Sequence, residues 1–179
     1  MMALIVMAMM AGVTTKVMAQ TQTSATLSTS TSVGVKLIVP MGVSETSALH
    51  FGTLILKDAL AGTCTLPSNS TTRSFSSNIV ASGIGTQAKN AAYDVTGTKN
   101  STYLLTLPTS VIVTEPGANK TMTIDNFKAS FTNGAVNATS STLGSDGKDH
   151  FTVGGTLNIG ADQAGGVYTG TFNVTVDYN

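Results

Sequence analysis

Any chemistry in this chain has to come from few side chains. His50 and His150 are the only histidines, Cys64 the only cysteine, and Glu45 and Glu115 the only glutamates. Asp146, Asp149, His150 and Asp162 are oxygen and nitrogen donors of the kind that gather a metal ion, but their spacing matches no recognised ligand pattern, and solvated turn charges account for them. His50 stands in Leu49-His50-Phe51-Gly52, an ordinary strand position. No serine lies in a nucleophile elbow, and Cys64 has no flanking signature of a nucleophile. Two glutamates, each beside turn residues, make a paired-carboxylate hydrolase hard to build. Gly83-Ile84-Gly85 lacks the continuation of a phosphate-cradling loop and reads as a turn. Five Asn-x-Ser/Thr triplets, at Asn69, Asn100, Asn119, Asn137 and Asn173, matter only in a glycosylating host. The expectation is a protein that is not an enzyme and uses no cofactor and no metal.

Composition narrows the class further. The 179 residues carry nine basic and nine acidic side chains, only 10% charged in all, so no basic field for nucleic acid exists. Thr and Ser number 48, Gly numbers 18, tryptophan is absent and aromatics are 6%. That mix suits pleated strands with polar faces and glycine turns.

The first nineteen residues read as a signal peptide. Met1–Val13 is uncharged and almost wholly apolar, too short for a membrane-spanning helix of about 20 residues. Val17 and Ala19 occupy the −3 and −1 positions of a small-residue cleavage site, so the mature chain begins at Gln20. Six of the eight methionines fall before that point, and no Lys or Arg precedes the apolar run. The expected location is the periplasm, the outer cell surface or the extracellular space, with no membrane span in the mature chain. A lone thiol in an exported protein is either buried or paired between molecules, and Thr63-Cys64-Thr65-Leu66 looks like a strand that buries it.

The elements that would position these residues are strands throughout. From Thr21 to Val39 the odd positions carry Thr21, Thr23, Ala25, Leu27, Thr29, Thr31, Val33, Val35, Leu37 and Val39, with polar or small residues at the even positions from Gln22 to Lys36. Period-two alternation gives one apolar face, weak up to Thr31 and strong from Val33, and Pro40 and Gly42 end the run. Residues 20–32 read as an N-terminal extension and 33–179 as the folded domain. At the other end Tyr168, Gly170, Phe172, Val174, Val176 and Tyr178 alternate with Thr169, Thr171, Asn173, Thr175 and Asp177. Burial of its five large side chains at about 1.5–3 kcal/mol each would tie this segment into the sheet. Between the ends the candidates are Leu49–Phe51, Gly62–Leu66, Ala92–Thr96, Tyr103–Leu107, Val111–Thr114, Met122–Phe131 and Phe151–Ile159, separated by turn residues such as Asn133-Gly134 and Asp146-Gly147. Seven to nine such strands predict an all-β, antiparallel, immunoglobulin-like sandwich, with a closed barrel as the structural alternative. The polar stretches Pro67–Gln87 and Gly134–Lys148 read as long loops.

Several of these segments together carry a resemblance. Leu49-His50-Phe51-Gly52, Tyr93-Asp94-Val95-Thr96-Gly97, Thr102–Pro108, Met122–Phe127, Phe151–Ile159 and the closing Gly166–Asn179 resemble the exported bacterial family catalogued as domain of unknown function 4402. The resemblance covers residues 20–179 and implies an exported β-sandwich with no assigned activity. More loosely, the chain is similar to chaperone–usher pilins and spore-coat-U-like fimbrial subunits, which end in an alternating strand with a penultimate tyrosine and a glycine fourteen residues from the end, here Tyr178 and Gly166. That likeness implies a surface-fibre subunit that self-associates by strand donation, with a periplasmic chaperone and usher as partners. Thr23, Ala25, Leu27, Thr29 and Thr31 would form the donated strand, with Leu27 the main anchor. The intrachain disulfide common in pilins cannot form with Cys64 alone. The alternative expectation is a monomeric, adhesin-like surface module that binds through its loops.

Overall fold

The computed structural model describes residues 32–76 and 78–179, and the expected signal peptide and the extension up to Thr31 lie outside these described residues. The chain divides into two compact units, Met1–Lys36 and Leu37–Asn179. Of the first, residues 32–36 are described, and they carry no regular secondary structure.

The second unit is an antiparallel β-sandwich without helices among its described residues. Its strands are β1 (Gly42–Ser47), β2 (His50–Phe51), β3 (Leu54–Leu56), β4 (Gly62–Leu66), β5 (Ser74–Phe75), β6 (Ile79–Ala81), β7 (Ala88–Lys89), β8 (Ala91–Thr96), β9 (Thr102–Thr106), β10 (Ser110–Glu115), β11 (Lys120–Phe131), β12 (Ser140–Thr142), β13 (Lys148–Ile159) and β14 (Thr175–Tyr178). They exceed the expected number because several two- and three-residue ribbons interrupt what read as loops: β5 and β6 fall within Pro67–Gln87, and β12 within Gly134–Lys148.

The larger sheet runs β1-β8-β13-β11-β10. The twelve residues of β13 serve two neighbours along one edge: Lys148–Val153 pairs with β8, and Gly155–Ile159 pairs with β4. Gly154 sits at the handover. A Cβ there would stand 2.6 Å from the carbonyl carbon of Pro67 and 2.8 Å from its oxygen, so only glycine admits the β4 backbone. In β11 a bulge between Asp125 and Lys128 shifts the register, and Asn126 takes φ +49° there. The smaller sheet is β12-β9-β14, and two ribbons, β2-β7 and β3-β6, complete the fold.

Alternation decides which side chains go inside. Ala91, Tyr93 and Val95 of β8, Tyr103 and Leu105 of β9, and Phe151 and Val153 of β13 are buried and form one core cluster with Phe131 and Leu143. Tyr93 stacks on Phe151 at 5.1 Å between ring centroids, and Tyr103 meets Phe131 edge-on at 5.9 Å. A second cluster of Cys64, Leu66, Ile79, Val113, Ile124, Leu157 and Ile159 lies beneath the ribbons.

The two ends differ from the sequence expectation. Val33–Val39 alternates strongly yet carries no strand; the first strand begins at Gly42, the residue expected to end the run. At the C-terminus the predicted alternation is present, but only Thr175–Tyr178 is strand. Before it, a single bridge ties Thr169 to Thr114. Tyr168, Phe172, Val174, Val176 and Tyr178 are half-buried rather than buried, and among the described residues β14 pairs with β9 alone.

Candidate functional site

The residues that could do chemistry are occupied by structural work. His50 Nδ1 accepts the Gly52 amide at 2.8 Å in a tight turn where Gly52 takes φ +76°. His150 Nδ1 lies 2.8 Å from Asp94 Oδ1 on the outer face of the large sheet. Asp146 Oδ1 accepts the Lys148 amide at 3.0 Å, capping its turn, and Asp162 occupies a left-handed turn position with φ +51°. Asp149 points inward instead of belonging to a solvated turn. It is 6% exposed and accepts four hydrogen bonds: Ser141 Oγ at 2.6 Å, His150 N at 2.8 Å, Tyr103 Oη at 3.0 Å and Asn133 N at 3.1 Å. Burial, with the carboxylate beside it, holds the Tyr103 phenol far above its ordinary range. Among the described residues no three His, Cys, Asp or Glu side chains converge as a metal site would require. Cys64 is fully buried in β4, and burial pushes its thiol up to about 11 while Arg73 pulls weakly the other way. It is thus inert in the fold, as its strand context predicted.

The C-terminal residues fall into place one by one. Gly166 lies against the Glu115 side chain, where a Cβ would collide. Tyr168 Oη donates to the Ala164 carbonyl at 2.7 Å and accepts from Gln163 Nε2 at 2.8 Å. Phe172 meets Phe127 with tilted rings at 5.0 Å between centroids, and Val174 and Val176 pack on the first core cluster. Tyr178 forms a clasp: its Oη accepts the Thr98 amide and donates to the Val39 carbonyl, both at 2.6 Å, while the Val39 amide donates to Thr98 Oγ1 at 2.8 Å. The chain entering the domain is therefore pinned to the end of its last strand. Thr23, Ala25, Leu27, Thr29 and Thr31 lie outside the described residues.

The clasp joins two incomplete edges. One is the outer edge of β14, which has no strand beyond it among the described residues. The other is the inner face of β1. Directly paired residues of an antiparallel ladder share a face, and Val43 pairs with fully buried Val95 while Glu45 pairs with buried Tyr93. Val43 and Glu45 therefore point toward the sandwich interior, yet Val43 is 40% exposed and Glu45 is exposed as well. Desolvation first, and the Glu45 charge second, push the Tyr93 phenol up to about 12. The inward face of β1 is thus left partly uncovered at Val43, and the outer edge of β14, whose Val176 and Tyr178 pack with Val174 on the first core cluster, is unpaired among the described residues. This open edge and face are termed the gap. Gly42–Ser47 shows no clean alternation, so no local signal marks β1 as one wall of a gap.

A second hollow of about 290 Å³ opens where the β9–β12 pairing ends, lined by Leu105, Leu107, Pro108, Phe127, Ala129 and Ala138 with Asn137 and Lys128 among its polar residues.

No curated protein and no solved structure matches the chain. A family model described as a domain of unknown function, DUF4402, matches residues 41–178, from the residue before β1 to the clasp tyrosine. The chain therefore belongs to the DUF4402 family.

Proposed function

We propose that this is an exported structural protein, a subunit of a surface fibre that assembles by β-strand donation and has no catalytic step. The observations that carry this reading are a β14 edge left unpaired among the described residues and an interior-facing Val43 of β1 left 40% exposed. An added strand would complete the ladder by main-chain hydrogen bonds and cover that face with alternate side chains. The alternating apolar run at the N-terminus supports the same reading, as does the signal-peptide character of residues 1–19. A periplasmic chaperone shielding the open edge before an usher exchanges it for a subunit fits this chemistry. The test is size-exclusion light scattering with negative-stain microscopy on residues 20–179, with and without a peptide of residues 20–39. Filaments, or ladders that the peptide caps, are expected; a heat-stable monomer indifferent to the peptide would overturn the reading.

The hollow beside Leu107 and Phe127 favours a second reading, a monomeric adhesin-like module that binds a partner through the loops at that end. Loss of surface binding on shortening residues 134–139, with the fold intact, would support it over fibre assembly.

A further inference from the structure

We infer, resting on the strand-donation reading above, that the segment entering the gap is Val33–Leu37 of a second copy, running antiparallel to β14, with Val33, Val35 and Leu37 as its anchors. The inward side chains concerned, Val43 of β1 and Val174, Val176 and Tyr178 in and just before β14, are apolar or aromatic, so an added strand needs large apolar side chains on one face. Residues 21–31 offer Leu27 alone among threonines and alanine. Val33, Val35 and Leu37 stand at alternate positions and are 94%, 86% and 85% exposed. Gly34 and Lys36 between them would face solvent. Val39 is not part of the donated strand, because its amide and carbonyl are already engaged with Thr98 and Tyr178, and Pro40 has no amide to give. Five extended residues reach about 17 Å, enough to run the length of the four-residue β14.

Direction identifies the donor as another molecule. β14 runs toward Tyr178, where Val39 is clasped. An arm laid back along its own β14 would also run toward that point, and the pair would be parallel. Every named ladder among the described residues is antiparallel. An antiparallel strand on this edge is available from a second copy, and each copy then offers one free arm and one free gap, a head-to-tail contact that propagates as a filament.

The experiment compares residues 20–179 with its V35D, L37D and L27D variants by light scattering and microscopy, with the monomer melting temperature as the check on folding. V35D and L37D should lower the polymer fraction at least tenfold without moving the melting temperature, and L27D should leave polymer within twofold of the parent. Loss of polymer in L27D with V35D and L37D unaffected would overturn this assignment and leave strand donation standing. A parent chain that never polymerises and ignores the peptide would remove strand donation itself. For direction, the double variant G34C/D177C should crosslink between copies; crosslinking of I38C/D177C in its place would mean a parallel arm and refute the second-copy arrangement.

Discussion

Replacing Tyr103 by phenylalanine isolates one of the four hydrogen bonds that hold the buried Asp149 carboxylate. The ring and its edge contact with Phe131 stay, and the hydroxyl 3.0 Å from Asp149 Oδ2 is lost. A hydrogen bond to a charged group is worth about 1.5–3 kcal/mol. A domain of this length shifts its melting temperature by about 2–4 °C per kcal/mol, so Tyr103→Phe should melt roughly 3–12 °C lower. Ser141→Ala removes the 2.6 Å bond to the same oxygen and should cost a similar amount, and the double variant should deviate from additivity because both hydroxyls share that oxygen. Asp149→Asn is the harsher change: its amide would turn a donor toward groups that are themselves donors, stranding one or two of them at about 1–3 kcal/mol each. The assay is thermal and guanidinium unfolding followed by circular dichroism. A Tyr103→Phe protein melting within 1 °C of the parent would refute the reasoning, because the carboxylate would then not depend on this donor.

Gly154→Ala should destabilise by about 1–3 kcal/mol or more through collision with the Leu66–Pro67 backbone, whereas Gly83→Ala, which meets nothing within 4 Å, should be close to neutral in the same denaturation series. Stability should hold up to about pH 9 and fall above it. The folded thiol of Cys64 and phenol of Tyr93 are raised from 9.0 to about 11 and from 10.0 to about 12, so the neutral-form advantage is complete below the unfolded values and is lost as pH climbs through these windows. Urea midpoints measured from pH 8 to 11 check this, and Cys64→Ala should remove the earliest part of the decline. Tyr178→Phe should cost about 0.5–1.5 kcal/mol for the clasp and speed amide exchange at Val39 and Thr98, leaving exchange in β13 unchanged.

How much of the molecule was legible beforehand depends on how local the signal was. Gly62–Leu66 was read to the residue because its Thr-Cys-Thr-Leu alternation and its flanking glycine and proline are all local. Met122–Phe131 and Phe151–Ile159 were found but begin two or three residues earlier, at Lys120 and Lys148, because pairing across a turn extends a strand into polar residues. Asp149 was misplaced among turn charges for the same reason: it is the second residue of β13, on the face that alternation aims inward, and the donors that make its burial tolerable come from Tyr103, Ser141 and Asn133, far apart in sequence.

By itself the amino-acid sequence determined the all-β class, the alternation from Phe172 to Tyr178 and the scarcity of side chains able to catalyse anything. Those follow from composition and period-two patterning, which report the face on which a side chain stands. Only the tertiary structure decided whether a face is covered. Val33, Val35 and Leu37 alternate with Gly34 and Lys36 as a half-buried strand would and are exposed, and Val43 faces the interior and is exposed too. Coverage depends on which other strand lies opposite, and among the described residues no strand pairs beyond β14.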